Sequence, residues 1–437
     1  MNHLKLKKRG LIFGALLTTT LVVTTSCNKD EDEPIEDFQQ TDHEQNLIPK
    51  EYIVLFNDAT IKSKAVAEES IFILEKYGIT EAQIAEEYTT IFKGVFLKGI
   101  PKEIAEQLKN DPGVKSVTQN MTFDFEPALL SQSTKFSNET YSQKTNVFNN
   151  ITKPSGEVLP WGPQRIGYGD GTGKKIWIID TGIAEIDELN IDKKNSRNFV
   201  SDKLLANGKI DPTAWQDTHA TSHGTRVASI AAAKENNKGI IGVAAGATVV
   251  SIRASGGGLS LADMESVFDY IASRIQPGEV WNFSGGPLYS RDELKTIFKV
   301  PEEQLVLFEN AIIALAQIAP GFLAAGNATD NLDMDPWVDS HLSTQNDKLY
   351  VIGAINNQHQ QWESSNYGSV IDYWAPGVDV VGVNKMGKVQ NDSGTSMAAP
   401  MVAAMYVLRD GDLNIRETYT DTGKNTRPIP HIIIPAR

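Results

Sequence analysis

Apolar residues along the chain follow two rhythms, and the change between them marks two structural units. "EYIVLF" at Glu51–Phe56 is an apolar, β-rich run that predicts a strand. Ala65 to Tyr77 carries Val66, Ile73, Leu74 and Tyr77 at helical spacing, and Gly78 stops it. "EEYTTIFKGVFLKGI" predicts two strand segments around Lys93-Gly94. Pro101 opens a second helix, "PKEIAEQLKN", which Asp111-Pro112-Gly113 closes before the strand "VKSVTQNM". This β-α-β-β-α-β order over residues 50–126 is the split βαβ pattern of a ferredoxin-like α+β domain.

From residue 159 to 437 the rhythm changes. Short apolar strands are predicted at Lys175–Ile179, Ala247–Ile252, Val280–Phe283, Gly321–Ala324 and Leu349–Ile352. They alternate with helical patterns at Gly224–Lys234, Leu261–Ile275, Gln304–Ile318 and Ser396–Leu408. Such alternation predicts an α/β architecture with a mostly parallel sheet flanked by helices. Residues 127–158 are rich in Ser, Thr, Asn, Gln and Lys and predict a linker; residues 28–49, with "NKDEDEPIED", predict an acidic disordered tether.

Composition adds two constraints. The 437 residues carry a formal net charge of -14, which argues against nucleic acid as a partner. The single cysteine excludes an internal disulfide or a cysteine-based metal cluster. Its position is informative. Lys5, Lys7, Lys8 and Arg9 precede an apolar run from Leu11 to Val23, too short for a membrane span, and "TTSC" ends at Cys27. Residues 1–27 resemble a bacterial lipoprotein signal in which Cys27 becomes the lipidated first residue, although Thr24 stands where leucine is usual. The acidic run behind it resembles the surface-export tags of some lipoproteins. The precursor is therefore expected at an outer membrane or cell surface, held by its lipid.

The chemistry first looks like a carboxylate pair. "KIWIIDTGIA" presents Asp180-Thr181-Gly182 after an apolar strand, as an aspartic protease would; Asp392-Ser393-Gly394 and Asp421-Thr422-Gly423 offer partners. Long helices between these loops do not suit an all-β aspartic protease. Asp392 follows polar residues, and Asp421 is expected in a polar tail without a strand before it. The pair also leaves other segments idle. "SHGTRVASIAAAK" puts His223 at a helix start, "FLAAGN" puts Asn327 past a strand, and "GTSMAAPMVAAM" puts Ser396 at the head of an apolar helix. A hydroxyl needs an adjacent base to act as nucleophile, histidine is that base near neutral pH, and a carboxylate orients the imidazole. The oxyanion that forms needs preorganised donors, which the Ser396 N–H and the Asn327 amide can supply.

"IIDTGI", "SHGTRVA", "AAGN" and "GTSMAAP", in this order, resemble the subtilisin-like serine proteases, the subtilase family. The resemblance runs from about Pro160 to about Leu408. It implies a serine endopeptidase with Asp180, His223 and Ser396 as triad and Asn327 as oxyanion donor. Polypeptides would be the substrates, and no cofactor would be required for the chemistry. Residues 50–126 are similar to the inhibitor-type propeptide of that family, an intramolecular inhibitor of the ferredoxin-like fold, with cleavage expected between Phe125 and Leu159. "RASGGGLS" (Ser255, Gly256, Gly257, Gly258) and "NFSGGP" (Ser284, Gly285, Gly286) match the strands that clamp the substrate backbone.

Three features depart from the pattern or stay open. Subtilases often hold structural calcium in a loop after the His helix; here that loop is "KENNKGIIGVA", with Asn236, Asp187 and Glu188 as oxygen donors. Lys234 and Lys238 flank it and disfavour a cation, so structural calcium stays an open expectation and no metal ligand is assigned. The C-terminus is short and polar, so the family's closing elements look reduced. Asp330, Asp333, Asp335 and Asp339 lie near the expected specificity pocket, beyond Ala324–Gly326, and leave the side-chain preference undecided. His219, which lacks the following Gly-Thr, is expected to be a loop residue; His341, His359 and His431 have no catalytic context. The competing reading is a catalytically idle subtilase fold serving as a surface binding module.

Overall fold

The computed structural model describes residues 46–123, 149–286, 290–296, 299–334, 336, 340–413 and 415–430. The signal segment with Cys27, nearly all of the acidic tether, most of the polar linker, Asp335, Asp339 and His431 lie outside the described residues. Among the described residues, no helix is long and apolar enough to cross a membrane.

The smaller sheet is built from β1 (Leu47–Phe56), β2 (Ile84–Tyr88), β3 (Gly94–Lys98) and β4 (Val114–Phe123) in the order β4-β1-β3-β2, all antiparallel. The helices α1 (Val66–Leu74) and α2 (Lys102–Leu108) complete the expected β-α-β-β-α-β order. The strand β1 is apolar on both faces for a reason. Tyr52, Val54 and Phe56 pack into the small domain's own core with Leu74 and Leu108. Ile53 and Leu55, pointing the opposite way, join the core of the large domain. A strand covered on one side only would alternate apolar with polar; this one is covered twice.

The large domain is a parallel sheet. Its strands are β5 (Lys175–Asp180), β6 (Thr248–Arg253), β8 (Val280–Phe283), β9 (Gly321–Ala324), β10 (Leu349–Ile355) and β11 (Tyr373–Pro376); the two-residue strand β7 (Leu259–Ser260) lies outside it. The order is β6-β5-β8-β9-β10-β11, extended beyond β6 by short pairings at 197–198 and 190–191. Every pairing is parallel, as the helix-interrupted pattern requires. The connecting helices are α3 (His223–Ala232), α4 (Leu261–Ala272), α5 (Glu302–Ile318) and α6 (Thr395–Leu408). Helix α6 packs on α3 and across β8 to β11, while α4 and α5 pack on each other and receive β4 of the small domain. Trp177, Trp281 and Trp374 fill the sheet's interior, fully buried.

Two expectations are corrected. The C-terminal stretch is a hairpin, β14 (Ile415–Thr420) and β15 (Thr426–Pro430), which follows the smaller hairpin β12 (Val380–Val383) and β13 (Val389–Asp392) in the chain. It packs on β11, with the Tyr419 ring 5.3 Å from that of Trp374. Asp421 therefore does have a strand before it. It is buried, and it accepts hydrogen bonds from Gly368 N (3.1 Å) and Asn425 N (2.8 Å). Residues 151–152 and 158–159, in and beside the end of the expected linker, pair with each other, and Glu157 between them is fully buried under Asn236 N and Asn237 N.

Candidate active site

Asp180 ends β5 at the sheet's C-terminal rim, the position where open α/β sheets hold ligands. His223 begins α3, directly after Ser222, whose φ of 56° places a non-glycine residue in the left-handed region. The two side chains meet inside the protein. His223 Nδ1 lies 2.8 Å from Asp180 Oδ1 and 2.9 Å from Oδ2, with each side chain 1% exposed. A carboxylate on Nδ1 keeps the proton there and leaves Nε2 as an acceptor. Burial opposes charging the imidazole, but the charge and hydrogen bond of Asp180 outweigh it and hold His223 above the ordinary histidine range. The glycine after the histidine is sterically required. A Cβ on Gly224 would stand 2.2 Å from the Gly182 carbonyl and 3.0 Å from Asp180 Cβ.

A second buried carboxylate, which local sequence does not single out, ties this corner together. Asp217 Oδ2 accepts from Thr225 N (3.1 Å) and Thr225 Oγ1 (2.6 Å); Oδ1 accepts from His219 N (3.1 Å) and Thr181 Oγ1 (3.3 Å). Thr181 Oγ1 in turn accepts from Gly224 N at 2.9 Å. Asp217 thus joins the loop after Asp180 to the first turn of α3. Burial pushes its carboxyl up, with the charge of Asp180 adding to the effect.

Ser396 lies in the first turn of α6, 1% exposed. Its hydroxyl donates to the Ser284 carbonyl (2.9 Å), and the Ser284 hydroxyl donates back to the Ser396 carbonyl (3.0 Å). Asn327 Oδ1 accepts from Thr395 N (3.0 Å) and Thr395 Oγ1 (2.8 Å). The Thr395 N–H on one end of the amide fixes that end as the oxygen, so the other end, Nδ2, is the donor.

The subtilase family model matches residues 171–414, more than half of the chain. The chain belongs to the subtilase family. It is 29% identical over 59% of its length to an intracellular serine protease of Paenibacillus polymyxa, covering 76% of that protein. It is 27% identical over 79% of its length to a thermophilic serine proteinase of a Bacillus species, covering 75% of it. An extracellular protease of Xanthomonas campestris is 28% identical over 70% of the chain, with 53% of that protein covered. The solved structure of the epidermin leader peptide processing serine protease of Staphylococcus aureus matches 82% of the chain and 88% of its own, at a TM-score of 0.56 and 19% identity, a likeness of fold. The protein is a serine-type endopeptidase of this family.

The other expected residues of the subtilase site distribute as follows. Ser255 to Gly258 lead directly into β7, and Gly256 adopts φ +80°, which glycine tolerates without strain. The strand β7 is paired already: Leu259 and Ser260 align antiparallel with Phe123 and Thr122 of β4. Ser284 and Gly285 follow β8, and Ser284 lies beside Ser396. His219 is indeed in a loop, its ring bonded to Thr221 Oγ1 (2.8 Å). Asp392 is not paired with Asp180; it forms an ion pair with Arg226 of α3 at 2.8 Å. Asp333 is spent on Ser369, accepting from its N (2.7 Å) and Oγ (2.6 Å).

The loop after α3 does not fit a calcium ion. Lys238 Nζ sits 3.0 Å from Asp187 Oδ2, Lys234 Nζ donates to the Asp187 carbonyl (2.9 Å), and Asn236 Oδ1 accepts from Lys238 N (3.1 Å). The oxygens of Asp187 and Asn236 are already held by ammonium and amide groups, and two cations stand where a third would have to enter.

Proposed function

We propose that the chain is a self-inhibited, exported precursor of an endopeptidase that works through Asp180, His223 and Ser396, with Asn327 as oxyanion donor. The observation that carries this reading is the buried grip of both Asp180 oxygens on His223 Nδ1, which leaves Nε2 to act as base. The Ser396 hydroxyl turns from the Ser284 carbonyl to His223 Nε2 and gives up its proton as the oxygen attacks the scissile carbonyl carbon. The electron pair moves to the carbonyl oxygen, held by Asn327 Nδ2 and the Ser396 N–H. Collapse of this adduct breaks the C–N bond, and the imidazolium delivers its proton to the departing amine. Water then repeats the sequence on the acyl-enzyme, releasing the acid and restoring the Ser396 hydroxyl. Asp180 stays ionised throughout. Replacing Asn327 by leucine is expected to lower kcat by about 10²–10³-fold at near-constant KM, measured on a peptide amide.

Self-inhibition is supported by how the small domain lies. The last residues of β4 add as an antiparallel strand to β7, beside the Ser255–Gly258 segment that would hold substrate. Three consecutive backbone N–H groups, at Thr89, Thr90 and Ile91, converge on the Asp269 carboxylate of α4, the shortest at 2.7 Å. Tyr88 OH donates to the Ala262 carbonyl (3.1 Å), and Ala262 N to Asn120 Oδ1 (3.0 Å). Export and lipid anchoring at Cys27 rest on the N-terminal sequence, since the relatives' names include both intracellular and extracellular proteases. Cleavage between Phe125 and Leu159 would separate the catalytic domain from its covalent membrane anchor. A fluorophosphonate probe tests the enzyme reading: covalent label mapped to Ser396 supports it, and a folded, processed protein that takes no label points to a binding module instead.

Docking of the small domain carries a pH dependence. Glu265 of α4 is fully buried, and neither carboxyl oxygen has a hydrogen-bond partner among the described residues. From β2 the Tyr88 phenol faces it, and on its own helix Asp269 does. β4 and α5 bring the uncharged Gln119, Asn120 and Gln304 to this interface, and Glu303 of α5 adds an exposed ion pair with Lys109 at 3.4 Å. Burial, with the charge of Asp269 adding, holds Glu265 well above the carboxylate range, so the docked state keeps a proton that an exposed Glu265 would release. Docking is then tightest below the ordinary glutamate pKa and loosens as pH rises toward the raised one. Glu265→Gln, neutral at every pH, is expected to flatten this dependence and prolong inhibition at neutral pH. The onset of activity from purified precursor, followed across pH 4–8, reads it out; an unchanged profile would place the dependence elsewhere.

A further inference from the structure

Pro400 lies inside α6, four residues after Ser396. Proline has no N–H, so the Ser396 carbonyl lacks the donor that the helix would normally supply at that position, and the ring crowds that carbonyl as well. The orphaned oxygen is nonetheless satisfied, because Ser284 Oγ donates to it at 3.0 Å across a sequence separation of 112 residues. We propose that the side chain of Ser284 is a positioning residue for the nucleophile, standing in for the helical donor that Pro400 removes. The inference rests on Ser396 being the nucleophile. It also divides the role that sequence assigns to Ser284: its backbone lies along the substrate groove, while its hydroxyl serves Ser396.

The surroundings leave that hydroxyl one use. Asn282 Nδ2 donates to Ser284 Oγ at 2.8 Å, occupying an oxygen lone pair and turning the hydroxyl proton toward the Ser396 carbonyl. Asn282 and Ser284 are fully buried and Ser396 is 1% exposed, so no solvent replaces a missing partner cheaply. The return bond, Ser396 Oγ to the Ser284 carbonyl at 2.9 Å, closes a reciprocal pair in which each serine hydroxyl holds the other's carbonyl. The peptide plane held this way belongs to the residue whose N–H is to bind the oxyanion and whose Oγ is to attack. Loosening that plane misplaces both groups, whereas substrate affinity, made along Ser255–Gly258 and the Ser284–Gly286 backbone, is untouched. The signature of positioning is therefore a loss in kcat without a rise in KM.

Pro400 supplies a rescue that a substrate-binding role could not show. In Ser284→Ala the Ser396 carbonyl loses its donor, and both kcat and the fluorophosphonate labelling rate are expected to fall about tenfold at unchanged KM. In Ser284→Ala/Pro400→Ala an N–H returns at position 400, within the helix, and most of the rate is expected to return with it. Pro400→Ala alone is expected to keep near-native rates. The measurements use the full-length chain after maturation, with folding followed by thermal melting. If Ser284→Ala does not accumulate folded, Ser284→Cys takes its place, a weaker donor of similar shape with a partial loss in the same parameter. A rise in KM at constant kcat, or a double variant no faster than the single one, overturns the inference. Failure of the unmodified enzyme to label at Ser396 would instead remove the reading on which it rests.

Discussion

Ser396→Ala is expected to lower peptide-bond hydrolysis by about 10⁶-fold and to leave the precursor uncleaved if maturation is autocatalytic. The loss would be chemical, not structural. Ser396 is 1% exposed at the start of a long apolar helix, where alanine is a better helix former than serine. Its hydroxyl donates only to the Ser284 carbonyl among the contacts described, so its removal releases one acceptor and opens a space of a single oxygen. The melting temperature should thus move little while activity collapses. The oxyanion donors and the groove survive, so a residual rate above the uncatalysed one is expected, about 10³–10⁴-fold over water. The assay is hydrolysis of a peptide amide, set beside the fraction of intact precursor on a gel. Activity in Ser396→Ala within about tenfold of the parent would rule out Ser396 as nucleophile.

How much of this was legible beforehand depended on how local each signal is. The motifs around Asp180, His223, Asn327 and Ser396 are short and self-contained, because each is a strand end or helix start whose backbone conformation its own neighbours dictate. Gly224 shows why: any side chain there would strike the Gly182 carbonyl. The two-sided apolar pattern of "EYIVLF" announced a strand but not what covers its second face, since that surface comes from a domain more than a hundred residues away. Asp217, Glu265 and the Ser284 hydroxyl were invisible for the same reason, as their meaning lies in partners brought together only by folding. The terminal hairpin reads as a polar tail because its strands are polar on average; Tyr419 and Ile429, which carry its packing, are set among charged and polar residues.

Asp180→Asn is expected to reduce kcat by about 10⁴-fold, and the change in pH profile distinguishes its role from that of a catalytic acid. Asp180 Oδ1 accepts from Thr181 N at 2.7 Å, a bond that only the oxygen of an asparagine could keep. The amide nitrogen would then stand where Oδ2 lies 2.9 Å from His223 Nδ1, a donor set against the Nδ1 proton that disfavours protonation there even with Oδ1 still at 2.8 Å. The proton would move to Nε2, the atom needed as base. The variant also loses the charge that holds His223 above its ordinary pKa of 6.5, while the burial that opposes protonation remains. In the parent enzyme, kcat/KM should fall as pH drops through a value above 6.5, because the imidazole protonates and ceases to be a base. In Asp180→Asn that acid limb should move to lower pH, so the ratio of the two activities narrows as the medium becomes acidic. An aspartic dyad predicts the reverse, with an optimum near pH 4 and an equal loss on replacing Asp392. The ion pair of Asp392 with Arg226 gives that carboxylate a structural partner, and the grip of Asp180 on His223 leaves it no proton to share.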